Sequence, residues 1–132
     1  MTLTKTDRAV LIGAGVWQFI SWGGRITLLT EAETFDFWNW FRIGGSLLLG
    51  TLVLLVGLGV VRSQPLARAF AWAYLAVALI TWSRSLYINL TEPNTLAFRL
   101  MHLALALVTW TLGLLAVRAT RERPKVAASS DA

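Results

Sequence analysis

Residues 41–62 read FRIGGSLLLGTLVLLVGLGVVR, and this stretch decides the fold class of the chain. Between Arg42 and Arg62 lie 19 consecutive residues without a charge, most of them leucine, valine or glycine. A helix that crosses a hydrocarbon core of about 30 Å needs roughly 20 predominantly apolar residues. The stretch therefore predicts a membrane-spanning helix.

Arginines divide the rest of the chain in the same way. Arg99 and Arg118 enclose 18 residues without a formal charge, and stretches of 16 and 15 such residues follow Arg8 and Arg68. The two shorter stretches reach spanning length if each continues past its next arginine, whose long side chain can extend to the headgroups. We therefore predict an all-α, integral membrane four-helix bundle in one domain, residues 1–118. Its helices are expected near 8–29, 41–61, 67–89 and 97–118, and residues 119–132 are expected to form a disordered basic cytoplasmic tail.

The composition supports a lipid environment. Hydrophobic residues make up 56% of the chain and charged residues 14%, whereas a soluble domain has about 25% charged residues. A net charge of +5 can indicate nucleic acid, but seven tryptophans and so few charges favour lipid. Without cysteine there is neither a disulfide framework nor a cysteine-ligated metal site. The expected partner is the lipid bilayer, with no nucleic acid and no cofactor.

The distribution of basic residues predicts the orientation of the helices. One face is expected to carry Lys5, Arg8, Arg62, Arg68, Arg118, Arg121, Arg123 and Lys125. The opposite, outer face carries Arg25, Arg42, Arg84 and Arg99, together with Glu31, Glu33, Asp36 and Glu92. Because cytoplasmic loops are enriched in lysine and arginine, we expect a cell-membrane protein with both its N- and C-termini in the cytoplasm.

The two halves of the chain resemble each other. Ile20-Ser21-Trp22 in the first half matches Ile80-Thr81-Trp82 in the second, and Phe41-Arg42 matches Phe98-Arg99. These matches predict two tandem helical hairpins related as a parallel repeat. The alternative is that two unrelated lipid-facing hairpins share leucine, alanine, interfacial tryptophan and terminal arginine.

The outer helix ends hold the polar residues that could form a site. They are Arg25, Glu31, Arg42, Arg84, Glu92, Arg99 and His102. Converging guanidinium groups could bind an anion or a lipid headgroup. The interpretation that we favour is structural, with ion pairs such as Arg84 with Glu31 or Glu92 that lower the cost of an arginine at that depth. His102 could handle a proton or serve as a ligand, but a lone histidine is more typical of a hydrogen-bonded bundle residue.

Small residues predict where the helices approach each other. Ser46, Gly50 and Gly57 form one stripe, and the pairs Ala9 with Gly13 and Ala69 with Ala73 form two more. The hydroxyl groups of Ser21, Thr51, Thr81, Thr109 and Thr111, with Gln18, could either bond across helices or line a polar path. Between Glu33 and Phe41, Asp36 is expected to cap the second helix, and the aromatic residues around it are typical of a membrane boundary.

One stretch resembles a known group of proteins. Phe41-Arg42-Ile43-Gly44-Gly45-Ser46, a third helix that ends near Ser83-Arg84-Ser85-Leu86, and a fourth that opens with Phe98-Arg99 resemble bacterial four-helix membrane proteins classified as a domain of unknown function. This similarity covers residues 41–107. Gly15-Val16-Trp17 with Trp22 is similar to the start of small two-helix actinobacterial membrane proteins. The resemblances imply a fold but no activity.

No enzyme motif is present: there is no GxSxG, phosphate-binding glycine loop or metal-ligand cluster. We therefore expect a small non-enzymatic membrane protein, an accessory or scaffold subunit that associates with itself or with another membrane protein. The alternatives are a small transporter or channel for a lipophilic or anionic compound, and a lipid-headgroup-binding protein. The size resembles that of small multidrug transporters, but the glutamate embedded in their first helix has no equivalent here, because Glu31 lies beyond Arg25.

Overall fold

The computed structural model of the protein describes residues 1–28 and 36–122. This part of the chain contains four α-helices, a short 3-10 helix and no strand, so the all-α prediction is confirmed. The helices are α1 (Lys5–Trp22), α2 (Phe37–Gly57), α3 (Gln64–Thr91) and α4 (Leu96–Ala119), and the 3-10 helix Gly23–Leu28 follows α1.

The four helices form an antiparallel bundle. Each helix packs on its neighbour in sequence, and α1 also packs on α4, which closes the bundle. We call the end that holds residues 1–4, 58–63 and 120–122 the terminal end. The opposite end, with the 3-10 helix, the start of α2 and residues 92–95, is the distal end, and it corresponds to the predicted outer face.

Local signals set helix boundaries that differ from the predicted ones. The capping box that begins α1 joins Thr4 and Asp7 through bonds of 3.0 and 3.1 Å. The α-helix ends at Trp22 rather than near residue 29, because two glycines follow and glycine disfavours helix.

Asp36 accepts a bond of 3.0 Å from the backbone N–H of Trp38, so the predicted cap of α2 is confirmed and the helix begins before residue 41. It ends before Gly59, whose φ is +81°.

Two clusters of buried residues form the core. The terminal cluster consists of Leu11, Ala14, Val53, Val56, Ala67, Ala71, Tyr74, Ala116 and Ala119. The distal cluster consists of Trp22, Ile43, Trp82 and Ala106. The rings of Trp22 and Trp82, which are counterparts in the predicted repeat, have centroids 5.5 Å apart. The tandem-repeat origin of the hairpins stays a prediction.

The small residues of α2 lie at a close helix crossing, as predicted. A Cβ on Gly50 would lie 2.7 Å from the Cβ of Gln18, and one on Gly57 would lie 3.0 Å from the backbone nitrogen of Ile12. The stripe predicted on α1 is wrong, because Ala9 and Gly13 are exposed. Ala14 and Gly15, the two residues that follow Gly13, are buried instead.

The predicted pair Ala69 and Ala73 also misses the helix interface: Ala69 is exposed, and Ala67, Ala71 and Ala78 are the buried alanines of α3. These stripes rested on spacing alone. Any alanine or glycine at a spacing of four residues satisfies such a pattern, whichever face of the helix it occupies.

The threonine hydroxyls bond mainly within their own helices. Thr51, Thr81, Thr109 and Thr111 each donate to the backbone carbonyl four residues earlier, at 2.7 to 2.8 Å. Such bonds satisfy the hydroxyl locally. Three other bonds join separate helices: Trp17 Nε1 to Thr109 Oγ1 at 2.8 Å, Tyr74 Oη to the Ala14 carbonyl at 2.8 Å, and Trp110 Nε1 to the Ala78 carbonyl at 3.1 Å.

Three helices, α2, α3 and α4, are long and apolar enough to cross a membrane, and α1 is not among them. At the other boundary, Ala119 is the last residue of α4, and both Ala119 and Thr120 are buried. The helical domain therefore extends past the predicted limit at residue 118. Residues 123–132, most of the predicted tail, lie outside the described residues.

Candidate functional site

A pocket of about 190 Å³ opens at the distal end of the bundle, where the 3-10 helix meets α2, α3 and α4. We call it the distal pocket. It is lined by Arg25, Trp38, Arg42, Thr81, Arg84, Ser85, Ile88, Asn89, Phe98 and His102. Three arginines and one histidine thus converge on one cavity, and the described residues that line it include no carboxylate.

Arg25 lies beside two indole rings that contact each other. Its guanidinium carbon lies 4.7 Å from the ring centroid of Trp22 and 5.7 Å from that of Trp82. Both distances are within the range of cation–π attraction. Burial, and after it the repulsion from Arg42, lowers the pKa of Arg25 below its ordinary value. Two of the positive charges that line the pocket therefore lie close enough to repel each other.

Arg84 lies on the opposite wall, on α3. Its guanidinium carbon is 4.2 Å from the ring centroid of Trp38, at the start of α2. The side chain is exposed, so this charge is accessible to solvent and to a ligand. Thr81 and Ser85, one helical turn or less from Arg84, line the same wall.

His102 contributes an imidazole ring from α4. Its Nδ1 is 2.9 Å from the carbonyl oxygen of Phe98, and since a carbonyl can only accept, Nδ1 carries the proton. The centroid of the His102 ring lies 4.1 Å from the ring centroid of Phe98 and 6.3 Å from that of Trp82. This bond lies within α4, and the role of His102 as a structural bundle residue stays a prediction.

A second cavity, of about 290 Å³, adjoins the distal pocket on the outside of α3 and α4. We call it the distal groove. It is lined by Leu86, Asn89, Leu90, Leu96, Arg99, Leu100 and Leu103. Asn89 lines both cavities, so the two are neighbours on either side of this residue. Arg99 donates from one terminal nitrogen to the backbone carbonyl of Glu92 at 3.1 Å.

Several buried donors at this end have no hydrogen-bond partner. They are the indole N–H groups of Trp22 and Trp82, Nδ2 of Asn89 and Nε of Arg99. These four are donors, and on α1 the hydroxyl of Ser21 and the acceptor Oε1 of Gln18 are also without a partner. A buried polar group without a partner costs free energy, so the described residues of this end leave several polar groups unsatisfied.

The structure brings five of the seven predicted site residues to these two cavities. Arg25, Arg42, Arg84 and His102 line the pocket and Arg99 lines the groove. Glu92 lies at the end of α3 and receives Arg99 through its backbone carbonyl, not through its carboxylate. Glu31 lies outside the described residues, so its predicted pairing with Arg84 cannot be placed.

Asn89 is the site residue that the sequence analysis missed. It follows Thr81 and Ser85 at spacings of eight and four residues on α3. That spacing places it on the same helical face as these two pocket neighbours. This spacing is readable in the sequence, but a single asparagine among apolar residues is a weak signal of a site.

Within residues 1–28 and 36–122, no three His, Cys, Asp or Glu side chains are grouped so as to hold a metal ion. No protein-family model matches the chain, and neither a curated protein nor a solved structure is similar to it.

Proposed function

We propose that this chain is a non-enzymatic integral membrane protein that acts by association, as an accessory or scaffold subunit of a membrane assembly. The observation that carries the proposal is the apolar outer surface of the bundle. Large hydrophobic side chains are exposed along every helix, among them Ile20, Leu48, Ile80 and Leu107. Soluble monomers rarely expose apolar patches of this extent, whereas a lipid-facing surface requires them.

α1 is the least apolar of the four proposed spans, and its packing in the bundle supports counting it as a membrane-spanning helix. α1 has 18 residues, which at 1.5 Å per residue is about 27 Å. It packs against both α2 and α4, and its outward side chains Val16, Phe19 and Ile20 are hydrophobic. Lys5, Asp7 and Arg8 belong to its first turn, where the headgroup region would accommodate them.

The membrane orientation follows from the basic residues. With four antiparallel helices, both chain ends lie on one side. The excess of lysine and arginine on that side supports cytoplasmic termini and a distal end outside the cytoplasm.

Packing in the middle of the bundle favours association over transport. Leu11, Ala14, Val53 and Tyr74 are buried between the helices, and the hydroxyls of Thr51 and Thr109 donate to the backbone of their own helices. A small transporter or channel remains the alternative, and purified protein in liposomes distinguishes the two. Movement of a solute by the protein alone would overturn the accessory role.

Topology is testable because the chain has no native cysteine. A cysteine at exposed Pro93 should react with a membrane-impermeant maleimide in intact cells, and one at exposed Thr2 should react only after lysis. Alkaline carbonate should leave the protein in the membrane pellet. Release into the supernatant would refute membrane insertion, and labelling of Thr2→Cys in intact cells would refute the orientation.

A homo-oligomer or a second membrane protein is the expected partner. Crosslinking in native membranes, followed by affinity purification and mass spectrometry, should recover a membrane protein or a second copy of the chain in fixed proportion. A monomer without partners in native membranes would contradict the accessory role.

A further inference from the structure

The distal pocket has the chemistry of an anion site. Arg25 and Arg84 reach it from opposite walls, and their guanidinium groups are placed by indole rings, not by carboxylates of the described residues. Stacking on an indole orients a guanidinium group without neutralising its charge. Such a group keeps its N–H donors for a planar or tetrahedral oxyanion, which guanidinium groups bind well.

The buried donors give a second, independent indication of a ligand. Asn89 is only 8% exposed, yet its Nδ2 has no partner. It lies where the distal pocket meets the distal groove. An oxygen-rich anion at that point would supply the missing acceptor and would recover the free energy that the unsatisfied donor costs.

The apolar lining of the distal groove indicates that the ligand also carries a hydrocarbon chain. Apart from Asn89 and Arg99, its lining consists of five leucines. On α4 these run from Leu96 to Leu103, about 10 Å along the helix axis at 1.5 Å per residue. A soluble anion such as inorganic phosphate would leave this groove empty, whereas a lipid would fill both cavities.

We propose that the distal pocket and the distal groove together bind one anionic phospholipid. The phosphate lies among Arg25, Arg84 and Asn89, and the upper part of one acyl chain lies along the leucines of α3 and α4. The inference rests on the proposed membrane location. Arg99, at the boundary of the groove, provides a further positive charge near the headgroup. A zwitterionic lipid is disfavoured, since its cationic headgroup would meet the arginines.

The test compares lipids that differ only in headgroup. Protein in a non-ionic detergent is incubated with phosphatidylglycerol or phosphatidylcholine of identical acyl chains, and retained lipid is measured by native mass spectrometry. We expect preferential retention of phosphatidylglycerol. Arg84→Gln, at an exposed position, should weaken it about tenfold, because the loss of one charge-assisted hydrogen bond corresponds to about that factor. Arg68→Gln, which removes an exposed arginine at the terminal end, is the matched control and should bind normally.

The groove is tested separately. Leu100→Gln places a polar side chain in the groove at a position that is 54% exposed, so the fold should be retained. Phosphatidylglycerol binding should fall several-fold. Leu114→Gln, at a position of α4 that is 59% exposed and lies outside the groove, should have no effect.

Three outcomes would overturn the proposal: equal retention of the two lipids, equal loss in Arg84→Gln and Arg68→Gln, or full displacement of the lipid by inorganic phosphate or glycerol phosphate. The last would assign the pocket to a soluble anion. Because carbonate extraction tests membrane insertion without reference to lipid binding, failure of this proposal is distinguishable from failure of the proposed function.

Discussion

The two ends of the bundle are packed differently. The terminal cluster has nine buried residues, and all but Tyr74 are aliphatic or alanine. The distal cluster has four, and two of them are the tryptophans Trp22 and Trp82. Small residues line the core of the terminal end, where they allow close helix packing, whereas two large indoles fill the core of the distal end beside the distal pocket.

The two ends also differ in how fully their buried polar groups are hydrogen-bonded. At the terminal end, Gln64 donates to the Thr120 carbonyl, and the hydroxyl of Thr120 donates to the Ala116 carbonyl at 3.0 Å. The described residues of that end contribute no buried side-chain donor without a partner. Those of the distal end contribute several. Among the described residues, the terminal end satisfies its own polar groups, and the unpartnered donors of the distal end support the ligand proposed there.

Basic charge alone does not distinguish the ends. A cavity of about 320 Å³ at the terminal end is also lined by two arginines, Arg8 and Arg62. Both side chains are exposed, and Arg62 donates to the Gly59 carbonyl at 3.1 Å. The distinguishing features of the distal end are the partly buried Arg25, its indole contacts and the neighbouring unpartnered donors.

The largest expected effect tests how closely the terminal end is packed. In Gly57→Ala, the new Cβ would lie 3.0 Å from both the Ile12 nitrogen and the Leu11 Cβ. α1 and α2 would have to separate, and overpacking of this kind costs about 1–3 kcal/mol. We expect a lower free energy of unfolding, measured by denaturation in detergent.

Gly44→Ala is the matched control in the distal half of the same helix. Nothing lies within 4 Å of its new Cβ, so the methyl group should stabilise α2 by up to about 1 kcal/mol through helix propensity. Equal effects of the two substitutions would contradict the close helix contact at Gly57.

A smaller effect is expected at Tyr74, the one polar side chain in the terminal cluster. Its hydroxyl donates to the Ala14 carbonyl at 2.8 Å and joins α3 to α1 across the bundle. Tyr74→Phe should lower the free energy of unfolding by about 1 kcal/mol, the usual net value of a buried hydrogen bond. Tyr87→Phe on the same helix, at a position that is 69% exposed, should change nothing measurable. If both variants unfold like the wild type, the bond does not contribute to closing the terminal end.

The sequence predicted the helices better than it predicted their ends and faces. Runs of uncharged residues between arginines located all four helices, because charge is costly in an apolar layer. The end of α1 was misplaced because hydrophobicity continues past Gly23 and Gly24 although helix propensity does not. Ala9 and Gly13 were assigned to an interface because spacing identifies a face of the helix, but only packing selects which face is buried.

The sequence also predicted part of the site, because the positions of the charged residues show where the helices end. Arginines that lie at helix ends in an antiparallel bundle must gather at the two ends of the bundle, so Arg25, Arg42 and Arg84 could be grouped in advance. The stacking of Arg25 on two indoles and the position of Asn89 between two cavities depend on helix rotation. A single sequence fixes that rotation only loosely.

The smallest expected effect concerns Arg84 in the absence of lipid. Arg84→Gln loses a cation–π contact with Trp38, which is worth about 0.5 kcal/mol at an exposed site, but it also removes one of several like charges at the distal end. The free energy of unfolding in detergent should therefore change by less than about 0.5 kcal/mol, as it should for Arg68→Gln at the terminal end.

Added phosphatidylglycerol should then separate the two arginine variants. A ligand that binds only the folded state raises the unfolding temperature in proportion to the logarithm of its concentration over its Kd. The wild type and Arg68→Gln should be stabilised equally, and Arg84→Gln less. If Arg84→Gln instead unfolds more easily than the wild type by over about 1 kcal/mol before lipid is added, the arginine is part of the framework of the bundle. In that case the distal end, like the terminal end, is closed by its own side chains.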